Sequence, residues 1–216
     1  MNIIPHHQLI EPLTWRYATK QYDPTRKIPA PYWAALEEAL ALTPCGAGLQ
    51  PWAFLVIDDA SVRAKLLLPS YGQPQMVDAS HLVVFATKAN YSAADVDAHN
   101  QQVAKVRGIM VESLEGLRSM ALRSVVNGMA ETERKNWAVN QTYNALGNFV
   151  TSAALLGIDA TPMEDFVKHR YDDILGLKVR GLTASVIATA GYRRETDKYA
   201  MLLKVRFPCE TVIQHV

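Results

Sequence analysis

Four short segments of the chain carry side chains whose types suit a flat ligand with an anionic end. Arg16-Tyr17-Ala18-Thr19-Lys20 and Lys204-Val205-Arg206 each bring two cations. Thr43-Pro44-Cys45-Gly46-Ala47-Gly48-Leu49-Gln50-Pro51-Trp52 is a glycine-bearing loop, and Ala160-Thr161-Pro162-Met163-Glu164-Asp165-Phe166 reads as a proline turn. Cations and loop amides can hold a phosphate, while an apolar wall holds a ring. Taken singly, each segment also has an ordinary explanation. Arg16 and Lys20 are one helical turn apart and would form a solvated face. Lys204 and Arg206 point the same way if the segment is extended. Two cations aimed together repel unless an anion sits between them. The glycine loop could be a plain helix-to-strand connection, Pro162-Met163-Glu164 a plain turn, and His81 a polar residue at a strand end.

Other chemistries lack their residues. The loop from Pro44 to Pro51 has no Gly-Lys-Ser/Thr ending and runs from helix to strand, so it is not a triphosphate loop. No Gly-x-Gly-x-x-Gly follows a strand, no Gly-x-Ser-x-Gly occurs, and no Cys-x-x-Cys or His-x-x-x-His spacing suggests a metal. The formal net charge of +1 gives no reason to expect nucleic acid or an anionic membrane as partner. No apolar run reaches the ~20 residues of a bilayer span, and the N-terminus lacks the pattern of a signal peptide. Cys45 and Cys209 do not suggest a disulfide framework. The expectation is a cytoplasmic protein of 216 residues in one domain spanning 1–216.

The elements that must position these segments follow from periodicity. Short helices are expected from Leu9 to Tyr17, from Pro31 to Thr43 and from Ser61 to Leu68. Strands are expected at Trp52 to Ile57, His81 to Thr87 and Ala184 to Ala190. From Ala93 to about Gly128 the pattern is polar and helical, with Val103, Val106, Met110, Leu114 and Leu117 on one side. A helix from Glu133 to Leu156, closed by Gly157, is apolar on nearly every face in its second half and should be buried. Strands scattered among helices favour an α+β fold.

In this order and spacing the segments resemble the FMN-dependent nitroreductase family, in particular its oxygen-insensitive NAD(P)H and dihydropteridine reductase-like branch, from Trp15 to Pro208. The resemblance implies a central mixed, mostly antiparallel sheet flanked by helices, in an intertwined homodimer with C-terminal strand exchange. It implies that Arg16, Lys204 and Arg206 hold the flavin phosphate and Lys20 the pyrimidine edge, with Tyr17 and Ala18 alongside. The family's Ser-Pro-Ser-Ser-x-Asn-x-Gln-Pro-Trp loop, reaching over from the partner subunit, corresponds to Pro44, Cys45, Gly46 and Gly48 here, so side-chain hydrogen bonds are lost. Pro162, Met163, Glu164 and Asp165 resemble a Pro-Ile-Glu-Gly turn whose glutamate amide points at flavin N5. Asp165 replaces the glycine, either lining the pocket or capping the following helix. Gln75 aligns with a family lysine and Gln73 or Gly72 with an asparagine, which removes a positive charge near the ring and would lower the flavin potential.

The implied activity is ping-pong hydride transfer: NADH or NADPH reduces FMN, which then reduces a nitroaromatic, quinone or similar acceptor. No side chain need act as a nucleophile. Alternatives are a same-fold reductive dehalogenase or flavin-consuming enzyme, with residues 90–136 as a lid, or a non-catalytic flavin-binding or sensing protein.

Overall fold

The computed structural model describes residues 3–216. The chain opens with α1 (His6–Trp15), followed by α2 (Ala30–Ala41), β1 (Trp52–Val56), α3 (Ala60–Leu67) and the single turn α4 (Gln75–Asp78). Next come β2 (His81–Lys88), α5 (Ala93–Arg107), α6 (Glu115–Ala121) and the long α7 (Glu131–Leu155). β3 (Asp159–Met163), α8 (Lys168–Ile174), β4 (Leu182–Gly191) and a last turn α9 (Cys209–Val212) complete the order. This is the α+β architecture expected. The sheet has the order β1-β2-β4-β3, and within the described chain every pairing is antiparallel, in keeping with the mostly antiparallel sheet expected, though no parallel pair is among them.

Period-two alternation sends β2 to two cores at once. Val83 and Phe85 face one side with Val186, Ala188, Leu36 and Phe149, beneath α2 and α7. Leu82, Val84 and Ala86 face the other with Ile187, Leu66, Met76 and Tyr171, beneath α3, α4 and α8. Helices thus cover both faces of the sheet, which explains the near-continuous apolar runs of its central strands.

Several boundaries differ from the periodicity, each for a local reason. α1 starts earlier, after Pro5, and stops before Arg16, whose backbone is extended (φ −68°, ψ 145°). α3 starts at Ala60 because the Asp59 carboxylate accepts the Ser61 and Val62 amides. The helical stretch from Ala93 breaks at Gly108, which ends α5 in the left-handed region (φ 63°). Beyond Gly108 the chain folds back as a small helical layer over Leu49, Tyr91, Val96, Ala121 and Val125. The proline turn at Pro162 is instead an edge strand: Pro162 sits opposite Ala188 in β3, on the outer strand where a missing N–H costs no ladder bond. At the C-terminus, where the resemblance implies strand exchange, Thr211 and Val212 lie in a helical turn.

The second half of α7 is buried through Ala145, Leu146, Phe149, Ala153 and Ala154, yet Gly147 and Leu155 remain open. The chain from Met201 onward also leaves its large apolar side chains in solvent, with Leu203 93 % and Val205 81 % exposed.

Candidate functional site

The segment from Arg16 to Lys20 leaves α1 as irregular chain, so its two cations do not share a helical face as their spacing suggests. A buried acceptor pulls the backbone out of the helix. Asp197 takes the amides of Lys20 (2.8 Å) and Gln21 (3.0 Å) and the hydroxyl of Tyr17 (2.8 Å). Tyr22 then bridges to Arg193 beyond β4. Thr19 is buried and donates to Asp159 (3.2 Å), while its carbonyl accepts from Thr161 (2.9 Å).

Against this segment lies the chain from Lys198 to Arg206. Lys204 Nζ donates to the carbonyl of Leu13 (2.5 Å) and to that of Arg16. The two stretches enclose a cavity of about 710 Å³ lined by Arg16, Tyr17, Ala18, Lys20, Pro162, Arg193, Lys204 and Arg206, among others. Four separate parts of the sequence therefore reach one hollow, of the volume usual for a cofactor site.

The electrostatics of this hollow are unbalanced. Burial and the neighbouring Arg206 make the Arg16 guanidinium easier to deprotonate than usual. Burial, Arg16 and Arg206 do the same to the Lys204 ammonium. Among the described residues none of Arg16, Lys20, Lys204 or Arg206 forms an ion pair. Arg16 Nη2 donates to Ala160 O (3.3 Å), but its Nε is buried with no partner. A buried orphan donor and convergent unpaired cations fit a terminal phosphate, which offers several acceptor oxygens and negative charge.

The residues that frame the cavity have no mark in the linear pattern. Asp159 is buried at the start of β3, and Arg193 grips it through Nε (2.9 Å) and Nη2 (2.5 Å). The same guanidinium lies 4.2 Å from the Trp15 ring centre and 4.5 Å from that of Tyr17. Register brings this pair together: Asp159 is opposite Gly191, two residues before Arg193. No linear spacing could have revealed it.

The turn after β3 stands beside Pro162 and is held from two sides. Gln73 donates to the Asp165 carbonyl (3.2 Å), and the Tyr143 hydroxyl of α7 donates to Glu164 Oε1 (2.5 Å). Burial, then the Glu164 carboxylate, push the Tyr143 phenol up to about 12. Asp165 does not cap a helix, since α8 begins at Lys168 without a side-chain cap. Gln75 is buried and its Oε1 lacks a partner. Met163 is buried beneath the turn. Among these residues only Pro162 lines the cation cavity.

The glycine loop lies elsewhere on the chain, against α7. Gln141 Oε1 accepts the Gly46 amide (2.8 Å), and Asn148 donates to Thr43 Oγ1 (2.9 Å). Cys45 Sγ accepts the Gln50 amide (3.1 Å), closing the loop, and burial pushes its thiol above the usual range. Gly48 has φ 73°, and Ala47 (52°) and Gln50 (45°) adopt the left-handed region without being glycine. Gly46 instead serves close approach, since a Cβ there would stand 3.3 Å from Trp137 Nε1. Pro44, Cys45, Gly46 and Gly48 do not line the cation cavity of their own chain. His81 proves structural, stacked on Trp33 at 3.8 Å.

Comparison with known proteins decides the family. The model of the nitroreductase family matches residues 13–192. The chain belongs to the nitroreductase family. A Staphylococcus haemolyticus protein named as an NAD(P)H nitroreductase is 34 % identical over 222 residues, covering 96 % of this chain and 97 % of its own length. The major NAD(P)H-flavin oxidoreductase of Aliivibrio fischeri is 30 % identical over 96 % of this chain and 98 % of its own. A nitroreductase-type structure from Exiguobacterium sibiricum, solved in complex with FMN, superposes with a TM-score of 0.79 at 18 % identity, covering 100 % of this chain and 99 % of that one. The nitroreductase fold and the resemblance read from the four segments therefore agree.

Proposed function

We propose that the chain is an NAD(P)H-dependent oxidoreductase that holds FMN in the cation cavity and reduces nitroaromatics, quinones or similar electron-poor acceptors. The observation that carries this reading is the convergence of Arg16, Lys204 and Arg206 on one hollow with no anionic partner among the described residues. Bound FMN would supply the redox chemistry, taking a hydride from NAD(P)H and passing two electrons to the acceptor.

The chain's own groups bind and orient. Arg16, Lys204 and Arg206 neutralise a phosphate, Lys20 faces the polar edge of the ring, and Tyr17, Ala18 and Pro162 give an apolar wall. The Glu164 backbone lies in a turn fixed by Gln73 and Tyr143, as a reaction face must be.

The reading extends to a homodimer of single-domain subunits. The loop from Pro44 to Gly48 does not line its own chain's cavity, so in this reading a second copy brings it to the site. Exposed Leu203, Val205 and Phe207, and an apolar groove of about 660 Å³ between Ile4, Trp15, Ala154 and Leu155, support such a partner. The subunit would act in the cytoplasm on small molecules.

Purified protein is expected to be yellow, to release FMN and not FAD on heating, and to sediment as a dimer. NADH should bleach the flavin rapidly under argon. A colourless protein that takes up no FMN would refute the reading, and slow bleaching would move it to flavin binding without turnover.

A further inference from the structure

Asp197 is 1 % exposed and stands between the two cation-bearing segments. Its Oδ2 accepts the Tyr17 hydroxyl and the Lys20 and Gln21 amides, and its Oδ1 accepts the Tyr199 amide at 3.1 Å. The first three partners belong to the wall that carries Arg16 and Lys20. The last belongs to the wall that leads to Lys204 and Arg206. No cation pairs with this carboxylate among the described residues. It is satisfied by three amides and a phenol, although Lys20 and Lys198 are its neighbours in sequence or partnership.

That choice of partners matters. An ion pair at Asp197 would neutralise one of the cations the cavity presents. Amide donors fix the carboxylate and leave Arg16, Lys20, Lys204 and Arg206 without a carboxylate partner among the described residues. A charge buried without a cation is costly unless its hydrogen bonds are well made, so the four donors must stay in place together.

We propose that Asp197 is the positioning residue of the cation cavity: by joining residues 17–21 to residue 199 it sets the spacing of the two segments that clamp a phosphate. The inference rests on the proposed FMN site and adds a residue that touches neither ring nor phosphate. Coulomb's law alone argues the other way, because removing a negative charge beside a dianion site should tighten binding. The sign of the effect therefore decides.

The test compares Asp197→Asn with the wild-type chain, each stripped of flavin, with melting temperature recorded first. FMN and riboflavin dissociation constants are then measured by fluorescence quenching well below melting. The expected result is FMN binding at least tenfold weaker, with a smaller loss for riboflavin, which lacks the phosphate that both segments reach. Unchanged or tighter FMN binding overturns the proposal, as do equal losses for both flavins, which would mark general loosening. If Asp197→Asn does not fold, Tyr17→Phe removes one donor alone and should weaken FMN severalfold with the same preference. Wild-type chain that binds no FMN would sink the proposed function itself, a result distinguishable from failure at Asp197.

Discussion

Arg193 and the trio Arg16, Lys204 and Arg206 line the same cavity and are held in opposite ways. Arg193 is gripped by the buried Asp159 and flanked by two aromatic rings, so its charge and its donors are already matched. The trio crowd one another without a carboxylate, and one of their donors, Arg16 Nε, is buried with nothing to bond. Equal charges thus do different things. The matched cation ties β3 to the chain after β4, and the unmatched ones have no carboxylate partner among the described residues. An arginine lining a hollow is not for that reason a ligand contact; its existing partners tell which role it has.

The sharpest way to break this contrast is to remove the partner of the matched cation. Asp159→Ala leaves Arg193 half-stranded in a site where only a fifth of its surface is exposed. Breaking such a pair should cost about 3 kcal/mol, the low end for buried pairs because of that exposure. For a chain of this size the flavin-free protein should melt roughly 6–12 °C lower. An unchanged melting temperature would show that the pair is not structural.

Removing an unmatched cation should do the reverse. Arg206→Ala is expected to leave the melting temperature of the flavin-free protein in place and to weaken FMN by about 1.5–3 kcal/mol, roughly tenfold to a hundredfold. Retained affinity would count against the clamp. Salt sharpens the same point with a smaller effect. Raising ionic strength from about 0.05 to about 0.5 M should weaken FMN severalfold, because the exposed cations are screened, while the buried Arg193–Asp159 pair is screened much less. FMN affinity independent of salt would contradict a phosphate held by charge.

The smallest expected effect lies at the turn after β3. Asp165 is exposed and caps no helix, so its carboxylate is free to act on what approaches. Asp165→Gly should shift acceptor preference toward anionic nitrobenzoates by ~1 kcal/mol, about fivefold, with little change in stability. A loss of stability with unchanged preference would return Asp165 to a purely structural role.

Residue types at the site, and most elements around it, are legible in the linear chain. Paired cations, a proline before a strand, and apolar runs are local patterns, and β1, β2, β4 and α7 follow from periodicity that burial on both sheet faces enforces. How those residues are used is settled by tertiary contacts alone. Lys20 sits on irregular chain, where Asp197, 177 residues away, offers its amide a buried acceptor, while the Arg16 amide still closes the last turn of α1 on Pro12. Pro162 is an edge-strand residue because β4 is free to pair there. Asp159 meets Arg193 through strand register. Partners set by register and by long-range acceptors have no signature in linear spacing, since their energy exists only once distant segments have docked.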